Sequence, residues 1–185
     1  SVDMVSVMPT HPSEVVHGGW RTDFVNALVA LNPRSLRWPG GIIADSYNWK
    51  DGVGARDTRR PQYYGQWNSS WMTNDVGTHE ILTLGEALGI PVILNVNWGG
   101  GTSSLAAEWV QYTNGSTATT FGAQRAANGR SAPFNVRTWE IGNEVWGPWT
   151  VGYTNASTFA TSYNSFQAAM AAVDPTVSFI GEGGD

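Results

Sequence analysis

Short apolar runs alternate with amphipathic stretches along this chain, and glycine or proline marks almost every change. Ser35-Leu36-Arg37-Trp38 stops at Pro39-Gly40-Gly41, and the nearly all-apolar run from Pro91 to Trp98 turns at Gly99-Gly100-Gly101. The segments from Val136 to Ile141 and from Val177 to Ile180 have the same character. Between them lie helical patterns. Phe24, Leu28 and Leu31 share a face that Asn32-Pro33 ends, and a stretch from Thr78 to Leu88 is stopped by Gly89. Leu105 with Trp109, and Ala106 with Val110, follow a cap at Ser103 or Ser104; Phe159, Tyr163, Phe166 and Met170 form the last face before Asp174-Pro175. This alternation predicts βα units on a parallel sheet, with strands near Leu36, Leu94, Trp139 and Phe179 adjacent in that order and helices on the outer face. The apolar run around Leu94 suits a parallel strand buried on both sides. Alternation alone fits an open doubly wound sheet as well as a barrel.

Composition narrows the class. The net charge of -5 and the absence of a long basic run argue against a nucleic-acid partner. The densest basic stretch, Arg56 to Arg60, is broken by Asp57 and reads as a solvated loop. No apolar run reaches the roughly 18 residues of a membrane span. With no cysteine, disulfides and thiolate chemistry drop out. His11, His17 and His79 are too scattered for metal-ligand spacing and read as surface or packing residues, so no cofactor or metal is expected. Lys50 is the only lysine, and Asn68, Asn114 and Asn155 each open a glycosylation acceptor triplet, which together lean towards a secreted protein. The chain opens on Ser1 without a signal-peptide pattern, so its start is expected to be processed or cut. Ten tryptophans fit a heavy core or a sugar-stacking cleft, with six or seven of them expected in the core.

The segment Trp139-Glu-Ile-Gly-Asn-Glu144 carries the chemistry. A strand delivers Glu144 to its C-terminal end, where (β/α)8 enzymes gather their active sites. A glycosidase needs one carboxyl group to protonate the leaving oxygen and a second across the bond. Asn143 stands ready to bond a hydroxyl, and Trp146 and Trp149 would limit water around Glu144 and raise its pKa. Glu144 as an ordinary solvent-facing loop carboxylate remains open at this point. Glu140 shares the strand parity of Glu144 and reads best as an internal ion pair, with Arg37 as the candidate partner. Gly99-Gly-Gly-Thr-Ser-Ser104 could cradle a phosphate at a helix start, but it lacks the lysine and the third glycine of the nucleotide-binding patterns.

Asn-Glu at a strand end resembles the fourth strand of the retaining (β/α)8 glycosidases, and further segments resemble glycoside hydrolase family 51, the α-L-arabinofuranosidases. These are Leu36-Arg-Trp-Pro-Gly-Gly41, Tyr47-Asn-Trp-Lys-Asp-Gly-Val-Gly54, Gly77-Thr-His-Glu80, Ala106-Ala-Glu-Trp-Val-Gln-Tyr112, Arg125-Ala-Ala-Asn-Gly129, Asn135 to Glu144, and Ala169-Met-Ala-Ala-Val-Asp-Pro175. The resemblance implies Glu144 as acid/base, Asn143 as a sugar-hydroxyl ligand, and Arg37, ending the second barrel strand, as support for the nucleophile. Trp98, by its position after the third strand, would line the cleft or pack in the core. Ile42 stands where many relatives carry a sugar-binding Asn, and His79 where they often carry Asp. The resemblance places the nucleophile, a Glu, at the end of the seventh strand; Glu182, past the fifth, is a poor substitute. Residues 1–185 are therefore expected to be one partial (β/α)8 barrel, its N-terminal half, roughly strands two to five, inactive by itself. The expected partner is a carbohydrate, with nothing to fix the oligomeric state. Another retaining glycosidase, such as a xylosidase or endoglucanase, and a non-catalytic carbohydrate-binding barrel are the alternatives.

Overall fold

A computed structural model describes residues 9–11, 13–66 and 69–183. The acceptor triplet at Asn68 begins outside the described residues. A small antiparallel hairpin, β1 (Val15–Val16) with β2 (Trp20–Arg21), leads into α1 (Thr22–Leu31), whose end at Asn32 is left-handed with φ 48°. β3 (Leu36–Trp38) follows, then three short 3-10 turns and a second hairpin, β4 (Gln62–Tyr64) with β5 (Ser70–Met72). The rest alternates: α2 (Thr78–Leu88), β6 (Val92–Val96), α3 (Ser103–Asn114), α4 (Thr120–Ala127), β7 (Thr138–Ile141), α5 (Ala156–Val173) and β8 (Ser178–Gly181).

β3, β6, β7 and β8 form one parallel sheet in chain order. A doubly wound sheet would reverse its order at a switch point; among the described residues this one does not. Register sorts the side chains, since strand neighbours alternate between faces. Leu36 pairs with Val92, and Trp38, Leu94, Trp139 and Phe179 form one row; Val96 aligns with Ile141. These residues form the core with α2, α3 and α5, joined by Trp109, Val110, Tyr112, Phe166 and Met170. Arg37, Ile93 and Thr138 form a row of the other parity, with Asn95, Glu140 and Ile180 the next. The apolar run of β6 is thus two-faced: Leu94 and Val96 pack under helices, while Asn95 belongs to a polar face.

Several elements go beyond the sequence reading. The helix after Gly101 is capped by Thr102, whose side chain accepts from Leu105 N–H at 3.1 Å. α4 lies in what the sequence shows as a polar loop; Thr119 caps it, and its Arg125 is fully buried, donating to the carbonyls of Tyr112, Gly115, Arg130 and Ser131. The Arg56–Arg60 stretch is not simply solvated. Arg59 is buried, forked onto Glu80 at 2.9 and 3.0 Å and bonded to the Gly54 and Asn74 carbonyls, so a carboxylate and backbone oxygens replace water. His79 packs edge-on to Phe134 and bonds the Tyr112 hydroxyl at 2.7 Å. Of the described tryptophans, Trp49, Trp109 and Trp139 are buried and Trp20, Trp38 and Trp98 pack against the core.

Candidate active site

The C-terminal ends of the four parallel strands make one rim, and the chemistry of the chain collects there. Arg37 lies within β3 rather than at its end and reaches across the sheet. Its Nε donates to Glu140 Oε2 in a short ion pair, and its Nη2 donates to Asn143 Oδ1 at 2.9 Å. The same Nη2 stands 3.9 Å from Glu182 Oε1, just past β8. The Arg37–Glu140 pair expected from strand parity is therefore present, because Arg37 and Glu140 share the face opposite the helices.

Beyond Ile141 the chain leaves the sheet through Gly142, at φ 86°, and Glu144, at φ 46°. A non-glycine residue in that region costs about 1–2 kcal/mol and persists only where its surroundings hold it. Asn95 Nδ2 donates to the Gly142 carbonyl at 2.7 Å, and a Cβ on Gly142 would meet Val145 Cγ1 at 2.9 Å. Asn143 is buried, and its Nδ2 has no hydrogen-bond partner in the protein.

Glu144 Oε2 accepts the indole N–H of Trp149 at 2.8 Å. Trp149 stands edge-on to Trp146 at 5.3 Å, and the two rings are 51 % and 43 % exposed. They flank Glu144 without sealing it from water, so the expected apolar enclosure is replaced by an oriented donor. Trp98 follows β6 on the same rim but turns to packing: its ring edge meets Phe159 and its N–H donates to Ser162 of α5 at 3.1 Å. Ile42 is buried in the 3-10 turn after Gly40.

One rim carboxyl group escaped the sequence reading. Asp45 is fully buried, and neither of its carboxyl oxygens has a hydrogen bond. Burial pushes its pKa up to about 7, helped by the charges of Glu182 and Glu144 and opposed by the Gly99 amide dipole and Arg37. The only signal in the sequence was an acidic residue inside Ile42-Ile-Ala-Asp-Ser-Tyr47. The Asp45 carbonyl accepts Gly100 N–H at 2.8 Å, and Gly99 abuts the Gly152 backbone. The three-glycine turn is thus folded inward, its Gly100 amide committed to protein oxygens, which overturns the phosphate-cradle alternative. Among the described residues no three His, Asp or Glu side chains are grouped so as to hold a metal ion, and no helix is long and apolar enough to cross a membrane.

Known proteins share this arrangement of the chain. A family model described as the alpha-L-arabinofuranosidase 1 domain matches residues 27–185. The probable alpha-L-arabinofuranosidase C of Aspergillus clavatus is 38 % identical over 167 residues, covering 88 % of this chain and 32 % of that protein. The exo-alpha-(1->6)-L-arabinofuranosidase of Bifidobacterium longum is 35 % identical over 173 residues, covering 93 % of this chain and 33 % of that one. The thermostable GH51 alpha-L-arabinofuranosidase of Thermotoga petrophila superposes with a TM-score of 0.87 at 33 % identity, covering 94 % of this chain and 36 % of that structure. The chain spans about a third of the length of the curated relatives it matches.

Proposed function

The chain belongs to the α-L-arabinofuranosidases of glycoside hydrolase family 51, and on that premise we propose that it supplies the acid/base side of a retaining glycosidase. The activity so proposed removes terminal α-L-arabinofuranosyl residues from arabinose-containing hemicellulose or oligosaccharides. Its parallel sheet is part of a (β/α)8 barrel. The observation that carries the reading is Glu144 on the catalytic rim, beside a buried asparagine and oriented by an indole N–H.

Each residue then has a chemical task. Glu144 protonates the leaving oxygen while a second carboxylate attacks the anomeric carbon; Glu144, now ionised, then takes a proton from water, and the sugar leaves with retained configuration. The family resemblance puts that second carboxylate on the seventh barrel strand, outside the four strands of this sheet. Asn143 is fixed through its Oδ1 by Arg37, which leaves its unpartnered Nδ2 to donate to a sugar hydroxyl. Arg37 is the cation of a rim that also carries Asp45, Glu140, Glu144 and Glu182.

The test is Glu144→Ala in the whole enzyme. Turnover of arabinosides with poor leaving groups is expected to fall about 100- to 10,000-fold. Activated aryl arabinofuranosides, which need little protonation, lose less in kcat/KM. Azide, needing no general base, restores their turnover as a glycosyl azide of retained configuration. An unchanged rate on natural arabinosides removes Glu144 from the acid/base role, and inactivity on both substrate types without azide rescue makes its role structural.

A further inference from the structure

β6 reads Val92-Ile-Leu-Asn-Val96, an apolar strand with one amide in it. Asn95 is fully buried, and its Oδ1 has no hydrogen-bond partner among the described residues. A half-satisfied amide in such a place costs stability that an aliphatic side chain would keep. What the amide makes is one bond: its Nδ2 donates to the Gly142 carbonyl at 2.7 Å. That carbonyl belongs to the first residue past the β6–β7 ladder, whose last register pair is Val96 with Ile141. At φ 86° Gly142 has turned out of the strand, and its buried carbonyl needs a donor from elsewhere. The other holds on the turn are of different kinds. Gly147 N–H donates to the Glu144 carbonyl at 2.7 Å and Thr154 N–H to the Val145 carbonyl at 2.8 Å, both backbone bonds on the downstream side. Arg37 holds the side chain of Asn143 at 2.9 Å, not its backbone. Asn95 is thus the side chain that fixes the backbone on the upstream side, two residues before the left-handed Glu144.

We propose that Asn95 is a positioning residue for the acid/base group: its amide pins the Gly142 carbonyl, sets the plane of the peptide that enters Asn143, and so fixes the left-handed turn that aims the Glu144 side chain. This rests on the reading of Glu144 as acid/base. A catalytic group has to be held within about 0.5 Å of its working place, and a loop does this less well than a strand. Glu144 stands on a loop, whereas Asn95 belongs to a strand paired on both sides, with β3 and with β7. The 2.7 Å bond passes the rigidity of β6 to the loop. Gly142 makes that bond necessary, because without a Cβ its own torsions are loosely restrained. An aliphatic residue in place of Asn95 would fill the strand position and leave the Gly142 carbonyl without its donor. The amide carries no charge, so it acts on Glu144 through geometry.

The experiment compares Asn95→Leu and Asn95→Asp in the whole enzyme on an alkyl and an activated aryl arabinofuranoside. The leucine variant keeps the volume and removes the donor. It is expected to fold, since one orphaned carbonyl replaces one half-satisfied amide. Its kcat/KM on the alkyl substrate, whose leaving oxygen needs a full proton, is expected to fall about 10- to 100-fold, the scale of a misplaced catalytic group. The aryl substrate suffers much less, and azide speeds its turnover. In the aspartate variant a protonated carboxyl group donates to the Gly142 carbonyl as the amide does, so at the acid end of the activity range it is expected within about fivefold of wild type. Wild-type kcat/KM in the leucine variant overturns the proposal. Equal losses on the two substrates also overturn it, because a general loosening of the site would cost both alike. An aspartate variant no better than the leucine variant at acid pH overturns it too, and this arm decides should the leucine variant fail to fold. Asn95→Leu is then added to Glu144→Ala and assayed on the aryl substrate with azide. There it is expected to cost less than about twofold, since the group it positions is gone. A larger cost overturns the inference while azide rescue upholds the acid/base assignment; if azide rescues nothing in Glu144→Ala alone, that assignment fails first.

Discussion

The two faces of the parallel sheet do different work although they alternate residue by residue. On the helix side Leu94, Val96, Trp139 and Ile141 are all but completely buried among apolar side chains. On the other side Arg37 pairs with Glu140 and donates to Asn143, and Asn95 donates to the Gly142 carbonyl, so charge and amide bonds hold the turn before Glu144. Stability comes mainly from the first face, where apolar area leaves water. The second face spends polar groups on orientation, because a catalytic carboxyl group needs a fixed aim more than a low-energy backbone.

The sharpest way to break this division is within β7, where the faces meet at adjacent residues. Trp139→Ala is expected to cost about 3–5 kcal/mol, as for other large core truncations. Glu140→Gln keeps the shape and weakens one charged bond, costing about 1–2 kcal/mol. Denaturant midpoints give the first comparison and kcat/KM the second, in which the order reverses. If the two substitutions destabilise equally, the faces are not separable.

Asp45 belongs to neither face, being buried like the first and acidic like the second. Its folded pKa of about 7 stands above the ordinary 3.8. The neutral form is thus favoured in the fold. Its contribution is fully present below the ordinary value and is lost as pH rises towards about 7, by at most roughly 4 kcal/mol. Asp45→Asn removes that slope. The variant is expected to be more stable than wild type at pH 8 and indistinguishable from it near the ordinary carboxylate pKa, by urea midpoints across the range. Parallel pH dependences in both proteins would show that Asp45 ionises freely in the fold.

Smaller effects sharpen the picture of the turn. Gly142→Ala forces a Cβ into a left-handed position and against Val145, with an expected cost of about 1–2 kcal/mol and a fall in kcat. A variant with unaltered melting and turnover would mean that the turn is not held in this conformation. Trp149→Phe deletes the indole donor to Glu144 from a half-exposed site. About 1 kcal/mol of orientation, roughly fivefold in kcat/KM, is expected to go, with no change in melting temperature.

Much of this was legible in the residue order. The four parallel strands fall where their apolar runs and Gly/Pro stops put them, and the Arg37–Glu140 pair follows from parity. The hairpin β4–β5 and helix α4 were not legible, because their residues are polar or mixed and their structure comes from partners: Arg125 of α4 finds four carbonyls, and Gln62 of β4 finds the Asn48 carbonyl. The orientation of Trp98 was equally hidden. An indole after a strand can face a cleft or a helix, and Ser162 and Phe159, more than sixty positions away, draw it to the helix.

Period and punctuation act between near neighbours in the chain, so the sequence by itself determined the strand order, the inward and outward faces, and Glu144 as the carboxyl group delivered to the rim. Which carboxyl group is cut off from water, which one pairs with Arg37, and what holds the left-handed turn were decided only by tertiary structure. Those properties are set by distances between groups on different strands, such as Arg37 and Glu140, 103 positions apart, and by how much water each has lost. Electrostatics falls with distance in space, and no local pattern in the chain encodes that distance.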